Sequence, residues 1–332
     1  MDRSRTRPLA AFASLLVLAA CEPGTAGAGA TRFLSVGTGG TGGVYYPLGG
    51  ALTNRLSARD SSRQYTAEVT GGSVENVNRV RAGQIDLAFA LGGTAYEAFH
   101  GGGPDYPEAV TGLRIVAPLY PNLTHVLVRG SSDIESLEGL RGTKVSVGAA
   151  GSGTEPMSRQ LLEAVGLTYD DIEVRYLTFG ESAAALADGA IDAAIISVGY
   201  PASAVLEAMT TGGARLLPIS PEAYEALRER YPYYTLGEIP AGVYPGVDEA
   251  IPSVAMMNWL VSLDTLSEDV VANLLGILHE ERDALARSHE SAAQIDLGQL
   301  DDTPIPLHAA AERWWTANQG AVAAPRAPGA AP

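Results

Sequence analysis

The fold is constrained most by a glycine-rich segment that links an apolar run to a helical pattern and that occurs twice. Residues 37–50 follow the apolar run Phe33–Val36 and lead into a helical pattern. Lys144–Val147 leads in the same way into residues 148–155 and then into the helix-like Met157–Val165. A loop of this kind leaves backbone N–H groups free at the start of the helix, where partial positive charge suits a carboxylate or a phosphate. The chain is therefore predicted to carry two loops that hold a small anion.

The rest of each half repeats the same order of elements. The pattern Gly-x-Ile-Asp-x-Ala begins at Gly83 and again at Gly189, in both places after a helical pattern and before a strand pattern. An order of strand, loop and helix that recurs predicts two α/β lobes of related topology. Because loops at the carboxyl ends of parallel strands hold ligands, two lobes that face each other should form a binding cleft.

The lobe boundaries are set by two apolar segments that could cross between the lobes. Thr124–Val128 and Ser253–Ser262 are the predicted crossing strands and would serve as the hinge. This assignment places residues 31–123 and 256–320 in lobe 1 and residues 124–255 in lobe 2.

Four local predictions complete the outline. Leu113–Pro118 is predicted to be a strand separate from Thr124–Val128. Ser73 is a good N-cap for the helix that follows it. Tyr231–Val247, rich in Pro, Tyr and Gly, is predicted to be a connecting loop, and Ser267–Arg287 one long amphipathic helix.

Composition limits the class of protein. The chain has 332 residues, of which 46% are hydrophobic and 18% charged, which is enough apolar material for large cores and too little charge for a disordered protein. The net charge of −16 argues against nucleic acid and anionic membrane surfaces as partners. The single cysteine excludes an internal disulfide framework and a cysteine-cluster metal site.

The first 30 residues are typical of an exported protein. Residues 1–20 combine three arginines with a short apolar core and are predicted to be a signal peptide, whose removal would change the net charge to −18. Leu-Ala-Ala-Cys21 resembles a bacterial lipoprotein box, which implies a lipid anchor on Cys21; an ordinary secretory signal is the alternative. Residues 21–30 are predicted to be a flexible tether and residues 321–332 a disordered tail. The expected location is periplasmic or extracytoplasmic, at a membrane.

Motifs for other chemistry are incomplete. Gly37-x-Gly39-x-x-Gly42 matches the dinucleotide fingerprint, but the next strand ends without the acidic residue that should follow. Gly148-x4-Gly153-Thr154 resembles a phosphate loop without its lysine. The five histidines lack metal-ligand spacing, and no serine has an evident neighbouring base. We therefore expect no cofactor, no metal and no catalytic residue. His125 could bind a ligand at the start of a crossing strand, or be structural.

Five stretches resemble the TAXI-type solute-binding subunits of tripartite ATP-independent periplasmic (TRAP) transporters. The resemblance extends from about Thr31 to Gly320. It is carried by Gly39–Ala51, Thr70–Asn76, Val147–Glu155, Ile239–Pro245 and Pro306–Trp315. It implies a type II periplasmic-binding-protein fold that closes on a small organic solute, a glutamate-like amino acid or another carboxylate. It also implies a membrane permease as partner, driven by an ion gradient.

The resemblance and the loop pattern together give a set of candidate ligand-binding residues. These are Gly40, Thr41, Gly43, Val44, Tyr45, Ser73, Leu91, His125, Gly151, Ser152, Gly153, Thr154, Ser197 and Tyr200. Where the family often has a polar run, this chain has Leu91-Gly92-Gly93, which favours a less polar or bulkier solute than glutamate. Two other functions stay open: a sensor that reports to a membrane kinase, and an exported enzyme on the same fold.

Overall fold

The computed structural model describes residues 32–322, which form ten strands of one sheet and ten α-helices around it. The strands are β1 Arg32–Gly37, β2 Arg63–Glu68, β3 Leu87–Leu91, β4 Leu113–Arg129, β5 Lys144–Ser146, β6 Glu173–Arg175, β7 Ala193–Val198, β8 Ala214–Leu217, β9 Thr235–Ile239 and β10 Ile251–Leu263. The helices are α1 Tyr45–Arg59, α2 Ser73–Arg81, α3 Gly92–His100, α4 Thr154–Ala164, α5 Phe179–Ala187, α6 Ser203–Thr210, α7 Pro221–Arg230, α8 Glu268–Glu280, α9 Arg282–Ala286 and α10 Ala309–Val322.

The sheet consists of two parallel groups joined by an antiparallel pair. Its order is β2-β1-β3-β10-β4-β7-β5-β6, with β8 on β4 and β9 on β10. β1 is parallel to β2 and β3, and β5 is parallel to β6 and β7, whereas β10 and β4 run antiparallel to their neighbours. We call residues 32–112 the first half and residues 130–250 the second half; β4 and β10 lie between them. This is the α/β architecture predicted from the repeat, while the lobe boundaries stay a prediction.

β4 is one strand of 17 residues, so the prediction of two separate strands was wrong. It pairs with β10 up to Leu123 and with β7 from Leu123 onward. Pro118 and Pro121 read as a break in the sequence, because proline cannot donate to a sheet ladder. The ladder shifts register between Met257 and Trp259, the partners of these prolines, and such an irregularity accommodates residues without an N–H.

Three other predictions need correction. Tyr231–Val247 contains β9, whose mostly exposed residues lack a clear alternation but pair with β10. The predicted long helix is divided at Glu281 into α8 and α9; the apolar pattern continued because Leu285 of α9 is buried in the same core. α10 extends to Val322, two residues into the predicted tail. Residues 323–332, the signal peptide, the tether and Cys21 lie outside the described residues.

A stripe of leucines fixes α1 against the sheet. Leu48, Leu52 and Leu56 follow at intervals of four, so they lie on one face of the helix, and each is at most 1% exposed. They share a core with Val271 and Leu275 of α8. Full burial of one such side chain stabilises the fold by about 1.5–3 kcal/mol. The packing thereby holds the first turn of α1 at the end of β1. None of the helices within residues 32–322 has the length and hydropathy to cross a membrane.

Candidate functional site

A cavity lies where the strands of both halves end and the next helices begin. It measures about 420 Å³, including its opening to solvent. Both glycine-rich loops contribute to its wall, together with residues of β4 and β7. The lining residues are Gly39, Gly40, Gly43, Val44, Tyr45, Gly71, Gly72, Ser73, Leu91, Tyr120, Asn122, Ser152, Gly153, Thr154, Phe179, Ser197 and Val198.

Four helices begin at this cavity, and none is capped by the side chain of its N-cap residue. The N-caps of α1, α2, α3 and α4 are Val44, Gly72, Leu91 and Gly153; all four line the cavity, and none makes a side-chain cap hydrogen bond. By contrast, Thr178 caps α5 with its hydroxyl. The first turn of a helix has N–H groups without intrahelical partners, and four converging first turns therefore concentrate donors and partial positive charge at the cavity.

Ser73 has a role different from the predicted one. The N-cap of α2 is Gly72, at φ 122°, a left-handed conformation that disfavours a side chain, so Ser73 becomes the first helical residue. The Ser73 Oγ accepts a hydrogen bond of 3.0 Å from the backbone N of Leu91. This bond fastens α2 to the end of β3, at the cavity wall.

Two further hydroxyls accept bonds from the protein and keep their own protons available. The Ser152 Oγ accepts from the backbone N of Glu155 at 3.2 Å. The Ser197 Oγ accepts from Asn122 Nδ2 at 3.4 Å. Since a hydroxyl has one donor and two acceptor positions, each serine can still donate toward a ligand. Thr154, 3% exposed, adds a third hydroxyl at the start of α4.

A chain of buried hydrogen bonds connects α1 to the three central strands. The Tyr45 hydroxyl donates to Asn258 Oδ1. Asn258 Nδ2 donates to Asn122 Oδ1 at 2.6 Å, and Asn122 Nδ2 donates to the carbonyl of Ser197 at 2.9 Å. Burial raises the pKa of Tyr45 far above its ordinary value, and a hydrogen bond with Ser73 offsets part of this effect, so Tyr45 is neutral. Each of the two amide oxygens in this chain of hydrogen bonds already accepts one bond from a protein donor.

Tyr120 is the exception among the buried groups of the cavity wall. It is 0% exposed, and its hydroxyl has no hydrogen-bond partner within residues 32–322. Burial raises the pKa of this phenol well above its usual range, so the hydroxyl keeps its proton. Its backbone carbonyl accepts from Asn258 Nδ2 at 2.8 Å, which fixes the residue in place.

Tyr120, Asn122, Phe179 and Asn258 were missed by sequence reasoning. The signal for the first two was present: they are the two residues with polar side-chain groups in the run Ile115–Leu123, and they are separated by one position, so they share a face. It was overlooked because the prolines divided the strand into two predicted pieces.

The cavity has no charged wall. None of its 17 lining residues is Asp, Glu, Lys, Arg or His. A charged solute would therefore be held by N–H dipoles and hydroxyl groups rather than by a counter-ion. Within the described part of the chain, no group of three or more His, Cys, Asp or Glu side chains could hold a metal ion.

Ten of the fourteen predicted site residues line the cavity, and a role for them in binding stays a prediction. They are Gly40, Gly43, Val44, Tyr45, Ser73, Leu91, Ser152, Gly153, Thr154 and Ser197. Thr41 lies just outside, at an adjoining opening that Ser152 also lines. Gly151 lies behind the wall, where its carbonyl accepts from the backbone N of Glu75 at 2.9 Å.

The structure places His125 and Tyr200 away from the cavity, contrary to the prediction. His125 follows Asn122 by three positions on β4, so it points to the opposite face of the strand. There it lies between the Leu123 carbonyl, 3.1 Å from Nδ1, and the Tyr244 hydroxyl, 3.2 Å from Nε2. Tyr200 lines a separate surface groove, and its carbonyl accepts from Ser291 Oγ at 3.0 Å.

The glycines of the two loops allow the halves to approach closely. A Cβ on Gly153 would lie 2.7 Å from Ser73 Oγ, and a Cβ on Gly71 would lie 2.6 Å from the Ala150 carbonyl. The Gly42 carbonyl accepts from Ser203 Oγ at 3.2 Å, a second contact between the halves. The loops therefore meet each other across the cavity opening as well as supplying N–H groups.

A polar cluster joins the halves on another side of the cavity. Glu97 Oε1 on α3 accepts from Gln160 Nε2 of α4 and from the Tyr233 hydroxyl, each at 2.7 Å. Beside it, Arg159 Nη2 lies 3.1 Å from Asp105 Oδ2. We call these five residues the bridging cluster.

Comparison with known proteins agrees with this architecture. The model of the NMT1-like family matches residues 36–318. MatC from Rhodopseudomonas palustris, solved with bound malate, is 15% identical over 88% of this chain and 99% of its own, with a TM-score of 0.57. The periplasmic binding protein BugD is 13% identical over 87% and 97%, with a TM-score of 0.54. The alkanesulfonate-binding protein SsuA from Xanthomonas axonopodis pv. citri, bound to MOPS, is 19% identical over 85% and 82%, with a TM-score of 0.51. The chain belongs to the NMT1-like family, and its fold is that of periplasmic solute-binding proteins.

Proposed function

We propose that the protein is an extracytoplasmic solute-binding protein that captures a small organic anion in the cavity and delivers it to a membrane permease. One observation carries the proposal: four helices begin at a single cavity, none of them capped by the side chain of its N-cap residue, and no charged side chain lines that cavity. Helix N-termini that lack caps are anion-binding groups. Their convergence is otherwise unfavourable, because like dipole ends repel each other.

The helix ends can supply only part of the affinity. An anion at one helix N-terminus gains about 0.3–1 kcal/mol, and up to about 2 kcal/mol when partly buried. Micromolar affinity requires about 8 kcal/mol. The hydroxyls of Ser152, Thr154 and Ser197 would add charge-assisted hydrogen bonds. Phe179 and Val198 would add apolar contact with the rest of the solute.

The proposed mechanism is closure of the two halves over the solute. A solute that binds more tightly to the closed form shifts the population toward it. The contacts between the loops at Gly42, Gly71 and Gly153 are those expected of a closed form. The closed form would then dock on the permease, so that solute binding and permease binding are coupled.

The class of solute and the partner are proposed from separate arguments. Amide and hydroxyl donors suit a carboxylate or a sulfonate, and MatC and SsuA were solved with one of each kind, malate and MOPS. A TRAP-type permease and a lipid anchor on Cys21 are proposed from sequence resemblance alone. Binding without turnover is proposed because no carboxylate or imidazole lies among the lining residues to activate a hydroxyl.

The decisive test is to identify the ligand and then to remove two of its proposed donors. Native mass spectrometry of the purified protein should find a small organic acid that copurifies. Replacing Ser152 and Thr154 together by Ala should weaken its binding about a hundredfold or more, because hydrogen bonds to a charged group contribute about 1.5–3 kcal/mol each. Isothermal titration and the ligand-induced rise in melting temperature measure the loss.

A matched double variant provides the control. Ser288→Ala with Thr316→Ala removes two exposed hydroxyls and should leave the ligand-induced rise in melting temperature unchanged. Equal rises in all three proteins would remove the loop before α4 from the binding site.

A further inference from the structure

We propose that the cavity selects organic acids that carry a second acceptor oxygen and no amino group, and that Tyr120 is the specificity-determining residue that donates to this oxygen. The inference rests on the proposed function and narrows its substrate class. It depends on which hydrogen-bonding groups of the wall the protein leaves available.

The available donor is the Tyr120 hydroxyl. Buried polar atoms almost always have a partner, and a buried hydroxyl without one is an exception that calls for a reason. Tyr120 is 0% exposed, lines the cavity and finds no partner among residues 32–322. An acceptor on the solute would satisfy it. Because Tyr120 belongs to β4 rather than to a helix end, it is a recognition point separate from the first turns that hold the acid group.

The wall lacks the negative charge that an amino group needs. An ammonium has three donors and a full positive charge, so its burial is costly unless a carboxylate lies beside it. No Asp or Glu lines the cavity. The two amide oxygens nearby are neutral, and each already accepts one hydrogen bond: Asn258 Oδ1 from Tyr45 and Asn122 Oδ1 from Asn258. The ammonium group of an α-amino acid would therefore be buried with no negative charge to compensate it, beside the positive ends of four helix dipoles.

The experiment compares acids that differ at one position. Each of three series contains an oxygen-bearing acid, the unsubstituted acid and the amino acid, in that order. The series are malate, succinate and aspartate; 2-oxoglutarate, glutarate and glutamate; and lactate, propionate and alanine. Isothermal titration against the wild-type protein should show, in the series that fits the cavity, about tenfold tighter binding of the oxygen-bearing acid than of the unsubstituted acid. The amino acid should bind at least tenfold more weakly than the unsubstituted acid.

The variant Tyr120→Phe tests the assignment to this residue. It should abolish the preference for the oxygen-bearing acid over the unsubstituted one. Tyr176→Phe, which alters an exposed tyrosine, should keep the preference. Tyr120→Phe removes no hydrogen bond within the protein, so the ligand-free variant should melt no lower than the wild type. The wild-type ranking of acids does not depend on how the variant folds.

Three results would overturn the proposal. One is an amino acid that binds as tightly as its oxygen-bearing counterpart, and another is a Tyr120→Phe variant that retains the preference. In the third, the wild-type protein binds oxygen-bearing and unsubstituted acids equally; the proposed function then stands and only the selectivity fails. If the wild-type protein binds none of the nine acids but retains another organic anion on purification, the selectivity fails and the proposed function stands; if it retains no organic anion either, both fail.

Discussion

His125 illustrates how the position of one residue on a strand determines what it can contact. Asn122 on one face of β4 reaches the cavity, whereas His125 on the other face is buried beside Tyr244, with ring centroids 5.5 Å apart. Burial lowers the pKa of His125 to about 4, and hydrogen bonds to the carbonyls of Leu123 and Ile196 offset only part of this effect. The imidazole is therefore neutral at pH 7, and its role is to satisfy buried polar groups.

This burial makes stability depend on pH. The pKa of His125 is lower in the folded protein than the ordinary value near 6.5, so on acidification the unfolded chain binds the proton first. The stabilisation is complete above pH 6.5 and is lost as the pH falls toward 4, by up to about 3 kcal/mol. Urea unfolding at several pH values should show this loss, and it should be smaller in His125→Gln.

The difference in the pH dependence of stability between the wild type and His125→Gln isolates the contribution of His125. Burial also lowers the pKa of His289 and His308, so these residues contribute a pH dependence of the same sign to both proteins. Parallel curves for the wild type and the variant between pH 6.5 and 4 would show that His125 does not carry the effect.

At the scale of single elements, the loop before α4 must come close to the start of α2. A Cβ on Gly153 would lie 2.8 Å from Leu91 Cδ1 and 2.9 Å from Ser73 Cβ. Both distances are below van der Waals contact, and Ser73 cannot move away because its Oγ is bonded to the backbone of Leu91. Glycine at position 153 is therefore what allows the two halves to approach this closely.

Gly153→Ala should weaken solute binding about tenfold, because strain of about 1–3 kcal/mol would be imposed on the closed form. Under the proposed closure mechanism the ligand-free protein would relieve this strain by opening, so its melting temperature should change little. Gly180→Ala is the control: this glycine also lies in the first turn of a helix, but a Cβ there meets nothing within 4 Å. Titration of both variants with the identified solute measures the difference; equal affinities would contradict the steric role.

Most elements could be predicted from local patterns, and the failures have a common cause. Apolar periodicity and glycine stops predicted β1, α2 and β5 nearly to their ends. β4 was divided at its prolines, and β9 was missed, because both depend on pairing with β10. Pairing between segments more than ten residues apart leaves no local pattern in a strand that is exposed or irregular.

The whole molecule is held together across its midline by the bridging cluster as well as by the sheet. Glu97 accepts two hydrogen bonds from the second half, and Arg159 pairs with Asp105 of the first half. These contacts join the two halves, so under the proposed closure mechanism they should stabilise the closed form. The candidate site could be predicted as a meeting of two loops, but this cluster could not, because its residues come from helices without a shared motif.

Glu97→Ala combined with Arg159→Ala should shift the ligand-free protein toward open forms and lower solute affinity about fivefold, since loss of these bonds is expected to cost the closed form about 1 kcal/mol or more. Small-angle X-ray scattering should record a larger radius of gyration without solute and a radius like that of the wild type at saturation. Glu173→Ala with Arg175→Ala, which removes an exposed ion pair within one half, should change neither quantity. A double variant as compact as the wild type would refute this role.

Because no charged side chain lines the cavity, different features of the protein govern the association rate and the dissociation rate of an anionic solute. The chain carries a net charge of −16, which repels an approaching anion, but ions at physiological strength screen this field beyond about 8 Å. Once inside, the anion meets fixed dipoles rather than counter-charges, so added salt has little to screen. At higher salt concentration the association rate should therefore rise, while the residence time of the bound solute stays the same.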